Sequence, residues 1–405
     1  MRKLKPLFLL ESIAIFICTT ILVSCGGGGK ITVTAPQVKS PISSQKPIVK
    51  VYIENSGSMD GYMCNGSQLK DAVYDYISDL SGVSDRIELN YINNQIIPFN
   101  GNLSNYIKTL TPESFKTAGG NRSNSDISAM IETILKQMTD STVVVFISDC
   151  ILDLPVDNSQ KFLEQCRIAI KNAINEGRKR IPDLGIEILK LESDFTGKYF
   201  YPNGSDEALE GVKRPYYIWI FGNSNILANL NNQVPFSGLE KYGLEGIVAF
   251  AKEVAVPYTI TNKSLTSNVI NPVKGDYILT IRTDLSATLQ PESAVQNPSN
   301  YSFVNPALKI ETIQPISAKN SPYTHYINVL IPKGTAIAQE RVMLNSPALP
   351  LWVDQSNDTT GKDVKKNLSR TTGIKSLIEG AYNSYNKPGK AKNNLTSFTF
   401  TITRR

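Results

Sequence analysis

Short apolar runs at residues 48–53, 143–147, 186–191 and 216–221 carry little polar alternation, the pattern of strands buried on both faces of a sheet. Between them, apolar positions recur at helical spacing. Leu69, Ala72, Val73, Tyr76, Ile77 and Leu80 share one face of a helix predicted over 68–80, and residues 127–138 and 161–174 repeat the pattern. Residues 87–92 and 95–99 read as short strands and 102–110 as a small helix. Strand and helix signals thus alternate from about 47 to 232, which predicts an α/β domain with a doubly wound, mostly parallel sheet flanked by helices. One interval departs from the alternation. Between the last two strands, residues 195–201 form a hairpin-like aromatic stretch with only a short helical piece beside it, so either a helix has shrunk or the sheet edge is rebuilt.

From about residue 256 the texture changes. Residues 277–282, 326–331 and 398–403 are strand-like and separated by Pro, Asn and Ser, which predicts a β-rich, sandwich-like C-terminal domain over 256–405. Within it, 361–370 is basic, polar and reads as mobile. Residues 374–385 read as one helix with Ile374, Leu377, Ile378 and Ala381 on one face. Residues 233–255 read as a connecting helical segment. A length of 405 residues suits two domains.

The N-terminus carries another signal. Arg2, Lys3 and Lys5 precede an apolar run over 7–23, followed by Leu22-Val23-Ser24-Cys25 and four glycines. The arrangement resembles a bacterial lipoprotein signal peptide: cleavage after residue 24 would leave Cys25 lipidated, anchoring the chain to a membrane outside the cytoplasm. Gly26 is not an acidic retention residue, which points to the outer membrane in a Gram-negative cell. Residues 25–46 then read as the lipidated cysteine and a flexible spacer. The chain has 42 basic and 36 acidic residues, net +6; without residues 1–24 the counts are 39 and 35. Such a balance, with no basic stripe interleaved with aromatics, argues against a nucleic-acid partner.

The first strand ends in Glu54-Asn55-Ser56-Gly57-Ser58, placing two hydroxyls at a sheet's carboxyl end, where open α/β sheets bind ligands. Ser125 opens the helix behind the Gly119-Gly120 turn, and Asp149 ends the strand at 143–147. Together, over roughly 46–232, these segments resemble the von Willebrand factor A-type (VWA) domain and its metal-ion-dependent adhesion site. That family's pattern is Asp-x-Ser-x-Ser, a Thr on a second loop and an Asp after the fourth strand. Here the positions read Glu54, Ser56, Ser58, Ser125 and Asp149. Ser for Thr keeps a hydroxyl ligand. Glu for Asp shifts the carboxylate by about 1.5 Å, against magnesium–oxygen distances near ~2.1 Å. The resemblance implies a site for Mg²⁺, or for Mn²⁺ or Ca²⁺, whose open position takes an Asp or Glu from a protein partner. An oxygen-only donor set suits such hard cations. In the alternative, the serines cap helices and satisfy loop backbone, Asp149 accepts their hydrogen bonds, and the domain is a metal-free scaffold beside a β-domain that makes the contacts. Asp60 and Asp126 either support the site from behind or act as plain loop and helix-start residues.

Signals for catalysis are weak. Ser58 sits in Gly-Ser-x-x-Gly, not in the Gly-x-Ser-x-Gly of a nucleophile elbow, and the only histidine, His325, lies in a strand pattern of the second domain. The expectation is a binding protein with no catalytic residues and no small-molecule substrate. Cys64, Cys150 and Cys166 remain after processing, an odd number; Cys64 and Cys150 are expected at one end of the sheet, either bridged or free. Tyr199, Phe200, Tyr201, Tyr216, Tyr217 and Trp219 suggest either a sugar platform or strand-core packing.

Overall fold

A computed structural model describes residues 29–404 apart from 124, 319, 320, 337, 387, 388 and 390–392. The signal segment and Cys25 lie outside the described residues. The first strand is β1 (Ile31–Thr34), followed by β2 (Ile48–Glu54), α1 (Gln68–Val83), β3 (Arg86–Ile92) and β4 (Ile96–Pro98). Next come α2 (Leu103–Lys108), α3 (Pro112–Lys116), α4 (Ile127–Lys136), β5 (Thr142–Ser148) and α5 (Ser159–Arg180). A long hairpin of β6 (Leu184–Phe200) and β7 (Asp206–Asn223) leads through α6 (Ser224–Gln233) to β8 (Leu244–Phe250).

Strands β2 to β8 form one seven-stranded sheet in the order β4-β3-β2-β5-β7-β6-β8. Side chains alternate across it. Val143, Val145 and Ile147 of β5 pack on the face covered by Leu69, Val73 and Ile77 of α1, while Val144 and Phe146 pack on the face covered by α4 and α5. The sheet is mixed, however, and not mostly parallel as expected. Of its neighbouring pairs only β2–β3 and β2–β5 are parallel; β4 is antiparallel to β3, β7 is antiparallel to β5 and β6, and β8 is antiparallel to β6. The cause is the hairpin: β6 turns back as β7, which inserts beside β5 where a helical crossover would have placed a parallel neighbour. The sheet edge is thus rebuilt, with the aromatic stretch 195–201 at the hairpin's outer end. Residues 233–255 also differ from the connecting helical segment expected, since after a 3₁₀ turn (Phe236–Tyr242) they supply β8.

The second half comprises β9 (Tyr258–Asn262), β10 (Val269–Ile270), β11 (Tyr277–Thr283), α7 (Glu292–Val295), β12 (Tyr301–Phe303), β13 (Lys309–Pro315), β14 (His325–Ile331) and β15 (Gln339–Asn345). The short elements α8 (Leu351–Gln355), β16 (Asn357–Asp358) and β17 (Thr371–Thr372) precede α9 (Ile374–Tyr385) and the final β18 (Asn394–Arg404). Two sheets, β10-β1-β18-β15-β12 and β13-β14-β11-β9, are antiparallel throughout. Phe398 and Phe400 of one share an apolar core with Ile281 and Val329 of the other.

Two segments cross the expected domain boundaries. Residues 31–34, expected within the flexible spacer, pair with β18 (Val33 opposite Ile402), and Ile31 and Val33 are buried. Residues 351–385 leave the β-rich half and pack on the α/β unit, where Ile374, Leu377 and Ile378 of α9 enter the core lined by Ile170 and Ile174 of α5. That contact is close: a Cβ on Gly380 would lie 2.7 Å from the Arg167 carbonyl oxygen.

Candidate metal and ligand site

All five residues singled out above meet at the carboxyl ends of β2 and β5. Glu54 closes β2 and is fully buried, accepting hydrogen bonds from the Ser125 hydroxyl on one carboxylate oxygen and from the Ser148 hydroxyl on the other. Ser56 and Ser58 lie with their hydroxyls 3.0 Å apart. Burial, and then the neighbouring Asp149 carboxylate, push Glu54 up to about 7, against the pull of the Ser125, Ser148 and Ser56 hydroxyls. Asp149 is buried as well. Burial raises it, opposed by the Ile151 N–H, the Ser58 hydroxyl and the Arg214 guanidinium. Its Oδ1 accepts from Ile151 N–H at 3.1 Å, whereas Oδ2 closes no hydrogen bond. The turn beyond is strained. Cys150 adopts a left-handed φ of 53°, and its N–H donates to the Ser148 hydroxyl at 2.7 Å.

Neighbouring polar residues have other tasks. Asn55 Oδ1 accepts from Arg122 Nε at 2.7 Å, and Arg122 also donates to the Ser56 carbonyl at 3.0 Å and pairs with Asp60. Arg122 therefore fastens the 119–123 loop to the Ser56–Ser58 loop and occupies Asp60. Asp126 caps α4, accepting from Ala129 N–H at 2.9 Å. His325 is buried in the β-rich half between Glu292 (3.1 Å) and Thr324 (2.8 Å), a packing role. Cys64, Cys150 and Cys166 are all free thiols: Cys64 Sγ faces the Asp194 carbonyl at 3.8 Å while Cys150 is buried in the core with α4 and α5, so the Cys64–Cys150 bridge is absent.

Above the buried carboxylates lies a cleft of about 520 Å³. Ser56, Ser58 and Ser125 line it; Ile151, Leu152 and Leu154 form one wall and Tyr199, Phe200 and Tyr201 the other. Phe200 is 46% exposed, and its ring edge would come within 3.2 Å of a Cβ on Gly57. Thus the aromatic stretch divides: Tyr199, Phe200 and Tyr201 face the cleft, whereas Tyr216, Tyr217 and Trp219 are wholly buried.

Three contributors escaped sequence reasoning. Ser148 is the hydroxyl that ends an otherwise apolar strand, a signal that was legible but overshadowed by Asp149. Arg122 had no local signal. Arg214, 2% exposed on β7, donates to the Leu368 carbonyl at 2.9 Å and stacks over Tyr199 at 5.3 Å. Together with an ion pair between Lys365 and Glu207, it pins residues 361–370, expected to be mobile, as a strap against the hairpin.

Among the described residues no three His, Cys, Asp or Glu side chains gather as a metal cluster, so any cation here depends on serine hydroxyls as well as carboxylates. No protein-family model matches the chain, and no curated protein matches it in sequence.

Proposed function

We propose that the protein is a lipid-anchored, extracytoplasmic binding protein whose VWA-like α/β unit holds Mg²⁺ through Glu54, Ser56, Ser58, Ser125 and Asp149 and captures an acidic side chain of a protein partner. One observation carries this reading. Two buried carboxylates lie beneath cleft-lining hydroxyls, with Asp149 Oδ2 unpartnered and Arg214 the one guanidinium acting on that pair among the described residues. Such an oxygen-rich, electron-rich floor fits a hard divalent cation, which would neutralise both acids and present an electrophile to the cleft. Mn²⁺ or Ca²⁺ would suit the same donors. The competing reading, a metal-free assembly lipoprotein whose β-rich half makes the contacts, draws on the Ser125 and Ser148 hydroxyls that already satisfy both Glu54 oxygens. Partner capture abolished by a chelator supports the first reading; capture indifferent to it supports the second.

Lipidation at Cys25 would place the β-rich half next to the membrane. Tyr277 donates to the Gly29 carbonyl at 2.8 Å, so the span from Cys25 to Gly29 reaches only about 14 Å even when fully extended. Replacing Cys25 with Ser should move the protein from the membrane fraction to the soluble fraction. Retention in the membrane fraction would refute lipid anchoring.

A further inference from the structure

The cleft does not end at the hydroxyls. A second depression of about 430 Å³ shares Leu154, Tyr201 and Pro202 with it and continues outward between Val156 and the hairpin turn to Lys362. The two form one channel. The outer part is open to solvent: Val156 is 71% exposed, and Lys362 is exposed with no ion pair among the described residues. The channel's walls are fixed by the fold. The hairpin wall is seated on the site loop through facing glycines, since a Cβ on Gly197 would lie 2.6 Å from the Gly61 Cα. The opposite wall is tied to β17, with Leu152 N–H donating to the Thr372 carbonyl at 3.0 Å.

We infer that this channel takes an extended segment of a partner protein, with an acidic residue at the hydroxyl end, apolar side chains between Leu154 and Tyr201, and a second negative charge toward Lys362. The inference rests on the acidic-partner reading for its inner end alone. A trough with largely apolar walls, continuous with a floor that would attract an acidic residue once it holds a cation and ending at Lys362, suits an extended chain better than a helix or a flat surface. The order of chemistry along the channel is acid, apolar, acid.

The test is selection of a phage-displayed library of random linear peptides on the whole processed chain in millimolar magnesium, followed by affinity measurements with synthetic copies. Recovered peptides should carry Asp or Glu followed within a few positions by Leu, Ile, Phe or Tyr. Val156→Asp and Lys362→Glu, both at exposed positions, should each weaken binding about tenfold while leaving any magnesium-induced melting shift unchanged. Peptides indifferent to both variants, or no recovered peptide, would overturn the inference. So would self-association of the chain, or glycan binding, that alone responds to Val156→Asp. If magnesium causes no shift but binding still depends on Val156 and Lys362, the metal reading fails and the channel stands. If magnesium causes a shift but the peptides ignore both variants, the metal reading stands and the channel fails.

Discussion

Glu54 concentrates the chemistry of the site, and its burial makes stability depend on pH. Its carboxyl holds a proton to about pH 7 in the fold, whereas the unfolded chain releases it near the ordinary 4.5. The contribution is therefore full below about 4.5 and lost as pH rises through 7. Glu187 provides a comparison. Also fully buried, it accepts from Asn231 Nδ2 at 2.6 Å with its other oxygen unpartnered, and burial pushes it up to about 8. Without metal, Glu54→Gln and Glu187→Gln should each raise stability at pH 8, on the order of 1–3 kcal/mol, and flatten its decline above pH 5. Only Glu54→Gln should also abolish magnesium stabilisation. Thermal melts at pH 5 and pH 8 would show both effects, and a Glu54→Gln protein still stabilised by magnesium would remove Glu54 from the ligand set. The cysteines offer a simpler check: unfolded without reductant, a chain of residues 26–405 should show Cys64, Cys150 and Cys166 all reactive toward a thiol reagent.

At the scale of elements, the β6–β7 hairpin makes this α/β unit what it is. It breaks the parallel order, walls the cleft and presses on the loop that carries Ser56 and Ser58. A Cβ on Gly61 would meet the Phe195 ring at 2.4 Å. Gly61→Ala should thus cost about 1–3 kcal/mol through overpacking and displace the loop; an unchanged melting temperature would show the contact to be slack. Legibility in the sequence followed periodicity. Helix α9 was readable at 374–385 because its apolar face repeats cleanly, and β2 and β5 because both their faces are buried. The hairpin's outer halves were not, since Asp194, Lys198, Glu207 and Glu210 give it the polarity of a loop. Strand β1 was hidden by the Gly-, Pro- and Ser-rich residues around Ile31-Thr32-Val33-Thr34, although that tetrad alternates like a strand. The site's carboxylates and cleft hydroxyls could be found because they end strands or open a helix. Arg214 could not, because what holds it is a strap more than 150 residues away in the chain.

Across the whole molecule, the chain weaves between its two halves. The β-rich half is closed by β1 and β18 from opposite ends of the described chain, and α9 returns to cover the α/β unit. Leu377→Ala should cost about 2–5 kcal/mol, and a chain ended at residue 255 should fail to melt cooperatively, because the α5 face around Ile170 and Ile174 loses its cover. A cooperative melt of that shortened chain would show the α/β unit to be self-sufficient. Everything proposed for the cleft's inner end depends on the hydroxyl–carboxylate cluster binding a hard cation. The most direct test is the melting temperature of a chain of residues 26–405 with and without millimolar magnesium, beside Ser56→Ala and Asp149→Asn. A ligand at about a hundred times its dissociation constant adds about 2.7 kcal/mol to native stability. Cation binding at this cluster predicts a rise of several degrees in the wild type that both variants lose; no rise in the wild type, or the same rise in all three proteins, would contradict it.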